Sequence, residues 1–288
     1  MALISNILFP VDFSPASVAM APYVKRAAGI CHASVSLVHV VDLASHSGFE
    51  LYLRPPSEIA EEHLEIGRER LASFLTSEFP ATECSRILVS GDAATEIAKV
   101  ARTGEFDLII MPTHSGIFRQ MLIGSTTAKV INDTDCPVMT SRHAQTISPK
   151  PLNHREWLCS IGLSSNSERI LRFASRAAAE LSVNLSIIHA LPSADQALLT
   201  DLDLEEQVES TERQEARRRI ADLQRTVGSA ATVRIPIGPI KDALIETARR
   251  ADADVLIIGR SPRPGAQGRM RDLTYAVLRD SPLPVVTY

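Results

Sequence analysis

Short apolar runs, each closed by polar or small residues, punctuate this chain. In its first half they are Asn6–Phe13 (NILFPVDF), Ala33–Val41 (ASVSLVHVV), Arg86–Val89, Leu108–Met111 and Pro137–Thr140. Their length and richness in Val, Ile and Leu predict strands buried on both faces. Between them lie stretches with helical periodicity. Ser14-Pro15-Ala16-Ser17 supplies helix-start chemistry, and Val18, Ala21, Val24, Ala27 and Ala28 continue that helix. Pro22 is expected to displace or kink its first turn. After an irregular loop over residues 43–56, Ile59, His63, Ile66, Leu71 and Phe74 mark an amphipathic helix. Gly91-Asp92 precedes a helix from Ala93 to Arg102, and Gly124-Ser125-Thr126 a helical run to Ile131. The βαβαβαβαβ order predicts a parallel sheet covered by helices on both faces.

Residues 144–155 (AQTISPKPLNHR), with two prolines and little apolar content, read as a linker. Beyond it the order begins again: strands at Trp157–Leu163, Asn184–Ala190, Thr232–Ile237, Val255–Gly259 and Pro284–Thr287, with helices between them. In the long helix from Leu202 to Val227, the pairs Glu209/Arg213 and Glu215/Arg219 sit at i,i+4. The halves overlay piece by piece. GDAATEIAKVAR at Gly91 answers to GPIKDALIETAR at Gly238, FDLIIMP at Phe106 to ADVLIIG at Ala253, and TDCPVMTS at Thr134 to DSPLPVVTY at Asp280. This is a duplication of whole domains, not a solenoid. It predicts one domain over 1–143 and a second over 156–288.

Composition narrows the function classes. Hydrophobic residues at 45% and charged residues at 22% are ordinary for a globular protein, and a net charge of −4 gives no general nucleic-acid surface. Four scattered cysteines with no C-x-x-C pair read as free thiols in a reducing compartment. No segment is long and apolar enough to span a membrane, and residues 1–6 lack signal-peptide character, so a cytoplasmic location is expected. No P-loop, dinucleotide fingerprint, nucleophile elbow or H-E-x-x-H occurs, so no catalytic residues are assigned. His39 and His189 recur at equivalent repeat positions and read as structural. No metal site is assigned.

The pieces FPVDFS (Phe9–Ser14), VHVV (Val38–Val41), G-D-x-x-x-x-I (Gly91–Ile97), IMPTH (Ile110–His114), GST (Gly124–Thr126) and DCPV (Asp135–Val138) resemble the universal stress protein family in its tandem form. The resemblance implies two five-stranded parallel α/β domains of Rossmann-like, adenine nucleotide α-hydrolase-like fold. It implies ATP or a related adenine nucleotide as ligand, with Mg2+ as companion ion, and pairing of domains or of two chains through the final strands. The function it implies is a cytoplasmic, nucleotide-responsive stress regulator. The alternative is a nucleotide-free interaction scaffold on the same fold.

In nucleotide-binding members the pocket carries G-x-x-G, nine residues, then G-[S/T], so that backbone N–H groups and a hydroxyl meet the phosphates. Those glycine positions fall here on Pro112 and Ser115, with Gly116 as a partial substitute. The loop to Gly124 is one residue short. Gly124, Ser125 and Thr126 are intact at a helix start suited to an anion. By the same resemblance Val11, Asp12, Val40 and Met111 join the site. Asp12 bonds a ribose hydroxyl, or else serves as a loop acceptor for backbone N–H groups, and the Val40 backbone meets adenine. Slow ATP hydrolysis or self-phosphorylation at Ser125 or Thr126 is a further reading. In the second half Gly162 replaces Asp12, Gly259 and Pro262 take the glycine positions, and Arg271-Asp272 replaces Gly-Ser. Arg260, Arg263, Arg269 and Arg271 read as a solvated basic loop, or else as residues that attract an anion. That half is expected to be a degenerate site with a structural or regulatory role.

Overall fold

A computed structural model describes residues 2–42, 55–113, 123–141, 155–193, 202–260 and 272–288. They group into two compact units, Met1–Leu152 and Asn153–Tyr288. Ser115, Gly116 and most of the expected linker lie outside the described residues, as do residues 43–54 and the arginines at 263, 269 and 271.

Unit 1 runs β1 (Asn6–Pro10), α1 (Pro15–Cys31), β2 (Ser34–Val41), α2 (Pro56–Ser73), β3 (Cys84–Ser90), α3 (Ala93–Thr103), β4 (Leu108–Pro112), α4 (Ser125–Asp133) and β5 (Val138–Ser141). Its strand order is β3-β2-β1-β4-β5, with every pair parallel. The chain moves to one side of β1 and then to the other, so a switch point falls between β1 and β4, where such sheets open a crevice at their carboxyl ends. Ile7, Leu8 and Phe9 of β1 are fully buried, as are Leu37, Ile109 and Ile110 on its neighbours. This is the burial on both faces that the continuous apolar runs predict.

Unit 2 repeats the plan with β6 (Glu156–Ser160), α5 (Ser167–Glu180), β7 (Asn184–Ile188), α6 (Leu202–Val227), β8 (Thr232–Arg234), α7 (Ile240–Arg250), β9 (Val255–Ile258), α8 (Asp272–Asp280) and β10 (Val285–Thr287). Its parallel order is β8-β7-β6-β9-β10. The two copies share fine structure. Asp107 Oδ2 accepts the N–H groups of Ser5 and Asn6 at 2.8 and 3.0 Å, and Asp254 Oδ2 those of Arg155 and Glu156 at 2.6 and 3.1 Å. Each carboxylate clamps the entry to its unit's central strand. Gly91 and Gly238 adopt φ of 142° and 143° before α3 and α7, a conformation open to glycine alone, which explains why both copies carry glycine there.

Several expectations need correction. β1 ends at Pro10, short of Phe13, because Phe13 turns into the left-handed region at φ 61°. Leu163 does the same in unit 2 at φ 51°, and β6 ends at Ser160. Pro22 neither displaces nor interrupts α1, which starts at Pro15 with Ser14 as its cap. Lying beyond the first turn, Pro22 withdraws one N–H from the helical ladder. In α2, Ile59 and Leu71 are buried as the periodicity predicts, but Ile66 is 45% exposed. In α6, Glu215 pairs with Arg218 at i,i+3 and 2.9 Å, while Arg219 donates to the Leu163 carbonyl at 2.8 Å. Among the described residues, no helix is long and apolar enough to cross a membrane.

One ion-pair cluster makes unit 2 sensitive to acid. Asp280 at the end of α8 accepts from Arg279 at 2.7 and 2.8 Å and from Lys241 of α7 at 3.0 Å. The Arg279 hydrogen bonds above all, then that of Lys241, hold its carboxyl well below the usual range. A carboxyl depressed in the folded state stabilises the fold above its unfolded value, near pH 4, and that contribution fades as pH falls toward the folded value. Asp280→Asn is therefore expected to flatten the acid limb of urea stability measured from pH 5 down to 2. An unchanged limb would place the acid sensitivity elsewhere.

Candidate functional site

At the switch point of unit 1 a cavity of about 270 Å³ opens beyond the strand ends. Val11 and Asp12 reach it from the end of β1, Val40 from β2, and Met111 and Pro112 from β4, while Gly124, Ser125 and Thr126 form its wall at the start of α4. The structure thus brings together every sequence-selected site residue that it describes.

Local chemistry explains each placement. The β1 ladder extends one bond past the strand, from Val11 N–H to the Val38 carbonyl at 2.9 Å. His39 lies over the same turn, and its Nδ1 is 2.8 Å from the Val11 carbonyl. A carbonyl only accepts, so the proton sits on Nδ1. Burial, the largest influence, pushes the His39 pKa down, which favours that neutral ring. His189 makes the same 2.8 Å contact with the Ile161 carbonyl in unit 2. Both histidines tie strand ends together, and each also lines its unit's cavity.

Phe13 has a left-handed backbone, and its ring is held on three sides. His39 lies 4.2 Å and Phe74 5.1 Å away between ring centroids, and the Arg70 guanidinium is 4.4 Å over its face. That turn presents Asp12 to the cavity. Asp12 Oδ1 accepts the Ser14 N–H at 3.0 Å and the Ser17 hydroxyl at 2.7 Å. The loop-acceptor reading of this carboxylate is therefore realised, and the residue still lines the cavity.

The opposite wall is a helix start. Gly124 has extended backbone, φ −59° and ψ 143°, with no side-chain cap, and its N–H goes to the Thr113 carbonyl at 2.7 Å. Bonding to the helix begins with Ala128 N–H to the Gly124 carbonyl at 2.9 Å. The N–H groups of residues 125–127 thus precede the first intrahelical bond, at the positive end of the α4 dipole. Thr127, which sequence reasoning passed over, donates its hydroxyl to the Pro112 carbonyl at 3.1 Å and fastens the helix to β4. Ser17, Ala93 and Ile97 were also missed. A repeat-aware reading could have found Thr127, since Thr274 stands at the same place in the second copy.

Unit 2 holds a larger cavity, about 640 Å³, at the equivalent place. Gly162 lines it where Asp12 lies in unit 1, and Gly259 lets Ile170 come close, since a Cβ there would stand 2.3 Å from Ile170 Cδ1. The reading of Arg260 as part of a solvated loop is overturned. It is 4% exposed, its N–H bonds the Tyr288 carbonyl at 2.9 Å, and its carbonyl accepts from Asn166 Nδ2 at 2.9 Å. The cysteines bring no chemistry to either cavity; burial pushes the Cys159 thiol up to about 12.

Comparison with known proteins places this architecture. The sequence model of the universal stress protein family matches residues 4–142 and again 157–288. A universal stress protein of Methanothermobacter thermautotrophicus strain Delta H is 30% identical over 81 residues, a match spanning 28% of this chain and 56% of that relative. A universal stress protein from Archaeoglobus fulgidus DSM 4304 superposes with a TM-score of 0.66 at 22% identity, covering 98% of this chain and 97% of that one. A functionally unknown protein from Pseudomonas aeruginosa PAO1 does so with a TM-score of 0.63 at 18% identity, covering 99% and 92%. At such identities the superpositions speak for the fold, and the two family matches speak for the lineage: the chain belongs to the universal stress protein family, as two such domains in tandem.

Proposed function

We propose that unit 1 binds an adenine nucleotide, ATP foremost, as a regulatory ligand and not as a substrate to be turned over. The observation that carries this reading is one cavity with Asp12 on one wall and the uncapped start of α4 on the other. Phosphate oxygens suit the N–H groups at Gly124–Thr126 and the hydroxyls of Ser125 and Thr126. The Asp12 carboxylate suits a ribose hydroxyl, and the strand end at Val40 suits the base. A volume of about 270 Å³ lies at the small end for such ligands, fitting base and sugar with the phosphates toward α4.

Calorimetric titration of the full chain with ATP, with and without Mg2+, tests this. The expected result is saturable heat that Gly124→Glu weakens by about a hundredfold, because a carboxylate at the helix start repels phosphate. The backbone at Gly124, φ −59°, accepts any side chain, so the urea midpoint should hold. No heat at millimolar ATP would leave the second reading, a nucleotide-free interaction scaffold. One observation favours that scaffold. Pro112 has no N–H to offer phosphate, its carbonyl is already taken by Thr127, and Asp12 Oδ1 is taken by Ser14 and Ser17.

A further inference from the structure

We propose that Lys129 makes the unit 1 site select phosphorylated nucleotides over nucleosides, and that Asp92 holds this lysine in reserve; the proposal rests on the nucleotide reading of that site. With His39 neutral, the described residues lining the cavity carry one formal charge, the Asp12 carboxylate. The lining thus offers a polyphosphate hydrogen-bond donors but no cation to balance its charge. Lys129 is the one cation of α4. It stands one turn beyond Ser125 and Thr126, which line the cavity, and helical side chains lean toward the N-terminus of their helix. Its ammonium meets Asp92 Oδ2 at 3.4 Å. Asp92 directly precedes Ala93, a lining residue of the same cavity.

The fold itself asks little of this pair. The two side chains are 59% and 53% exposed, where an ion pair is screened and worth little. The cap of α3 does not depend on it, since Asp92 accepts the Thr95 N–H at 3.0 Å and the Thr95 hydroxyl at 2.8 Å on its other oxygen, Oδ1. Unit 2 does without it. Pro239 stands there for Asp92 and Ala276 for Lys129, and the equivalent helices α7 and α8 are joined by Lys241 and Asp280 at 3.0 Å. The copy that lacks the Asp12 carboxylate and the Gly-Ser helix start therefore also lacks both members of the pair. A bound phosphate takes the ammonium from Asp92, exchanging an exposed ion pair for a contact beside the positive end of α4, while α3 keeps its cap.

Calorimetry of the full chain with ATP and with adenosine, at low ionic strength, tests this. Lys129→Met should weaken ATP about tenfold and leave adenosine unchanged. Lys99→Met removes an equally exposed ammonium from α3, 58% against 59%, and should change neither. Asp92→Asn keeps a capping oxygen, so the urea midpoint should hold, and release of the lysine should tighten ATP about threefold. That gain should vanish in the Lys129→Met background. A gain that persists there is the field of the lost carboxylate alone and overturns the role of Asp92. The role of Lys129 is overturned if Lys129→Met leaves ATP affinity unchanged, weakens adenosine equally, or does no more than Lys99→Met. In each of those cases the heat of ATP binding to the unaltered chain leaves the nucleotide reading standing, whereas no such heat overturns both.

Discussion

Phe9→Ala is expected to lower stability by about 4 kcal/mol, a large part of the ~5–15 kcal/mol that holds a domain folded. Phe9 lies mid-strand in β1, fully buried, paired in register with Leu37 and edge-on to Phe79 at 6.2 Å between centroids. Truncation removes the ring's transfer free energy and leaves a void. Strands on both sides hold β1 in register, so the site has little freedom to collapse. Urea unfolding of unit 1, followed by hydrogen exchange of β1 and β2 amides, reads the loss. A change under about 1 kcal/mol would mean that helices relax into the space and that β1 is not the rigid centre it looks to be. β1 also positions Val11 and Asp12, so Phe9→Ala should weaken any ligand of the unit 1 cavity in step with stability.

Arg86→Leu should cost about 3 kcal/mol, although Arg86 is a charged residue on the edge strand of its sheet. Its Nη1 donates to the Leu71 and Phe74 carbonyls at 2.6 and 2.8 Å, and its Nη2 to that of Phe79 at 3.0 Å. Two of these carbonyls belong to the C-terminal end of α2, where helical acceptors have no intrahelical donor and a cation meets the negative end of the dipole. Leucine leaves all three acceptors to find water. Arg86→Lys should recover only part of the loss, because one ammonium lacks the fork that reaches several carbonyls at once. Urea midpoints of the three proteins give the order, and equal midpoints for Leu and Arg would remove Arg86 from this role. The expected loss should also appear as faster hydrogen exchange over residues 74–83, the segment that Arg86 fastens to β3.

The candidate site could be read without coordinates partly from local rules, which mark strand ends and helix starts, and for the rest from the resemblance to the universal stress protein family. A continuous apolar run ends in a strand terminus, and Gly-Ser-Thr before a helical run marks a helix start. Gly124 could be picked out from its helix start and Asp12 through the resemblance, while the two were separated by most of the domain. What joined them was the strand order, with β4 beside β1. Arg260 shows the reverse case. In a loop of arginines it looks solvated, and its burial emerges only when Asn166 and Tyr288 close on its backbone.

The alternation of apolar runs with helical periods, the doubling of that alternation, and the glycines at 91 and 238 were determined by the chain alone, since each depends on neighbours a few residues away or on a backbone only glycine adopts. Tertiary structure decided the rest. The ring of Phe13 is held by a histidine, a phenylalanine and an arginine from other elements. Arg86 is a helix cap because α2 ends above β3. The two cavities differ in size and lining because substitutions scattered through the sequence converge beyond the strand ends of each unit. Such features depend on contacts between residues remote in sequence, and no local pattern encodes which remote neighbour will arrive.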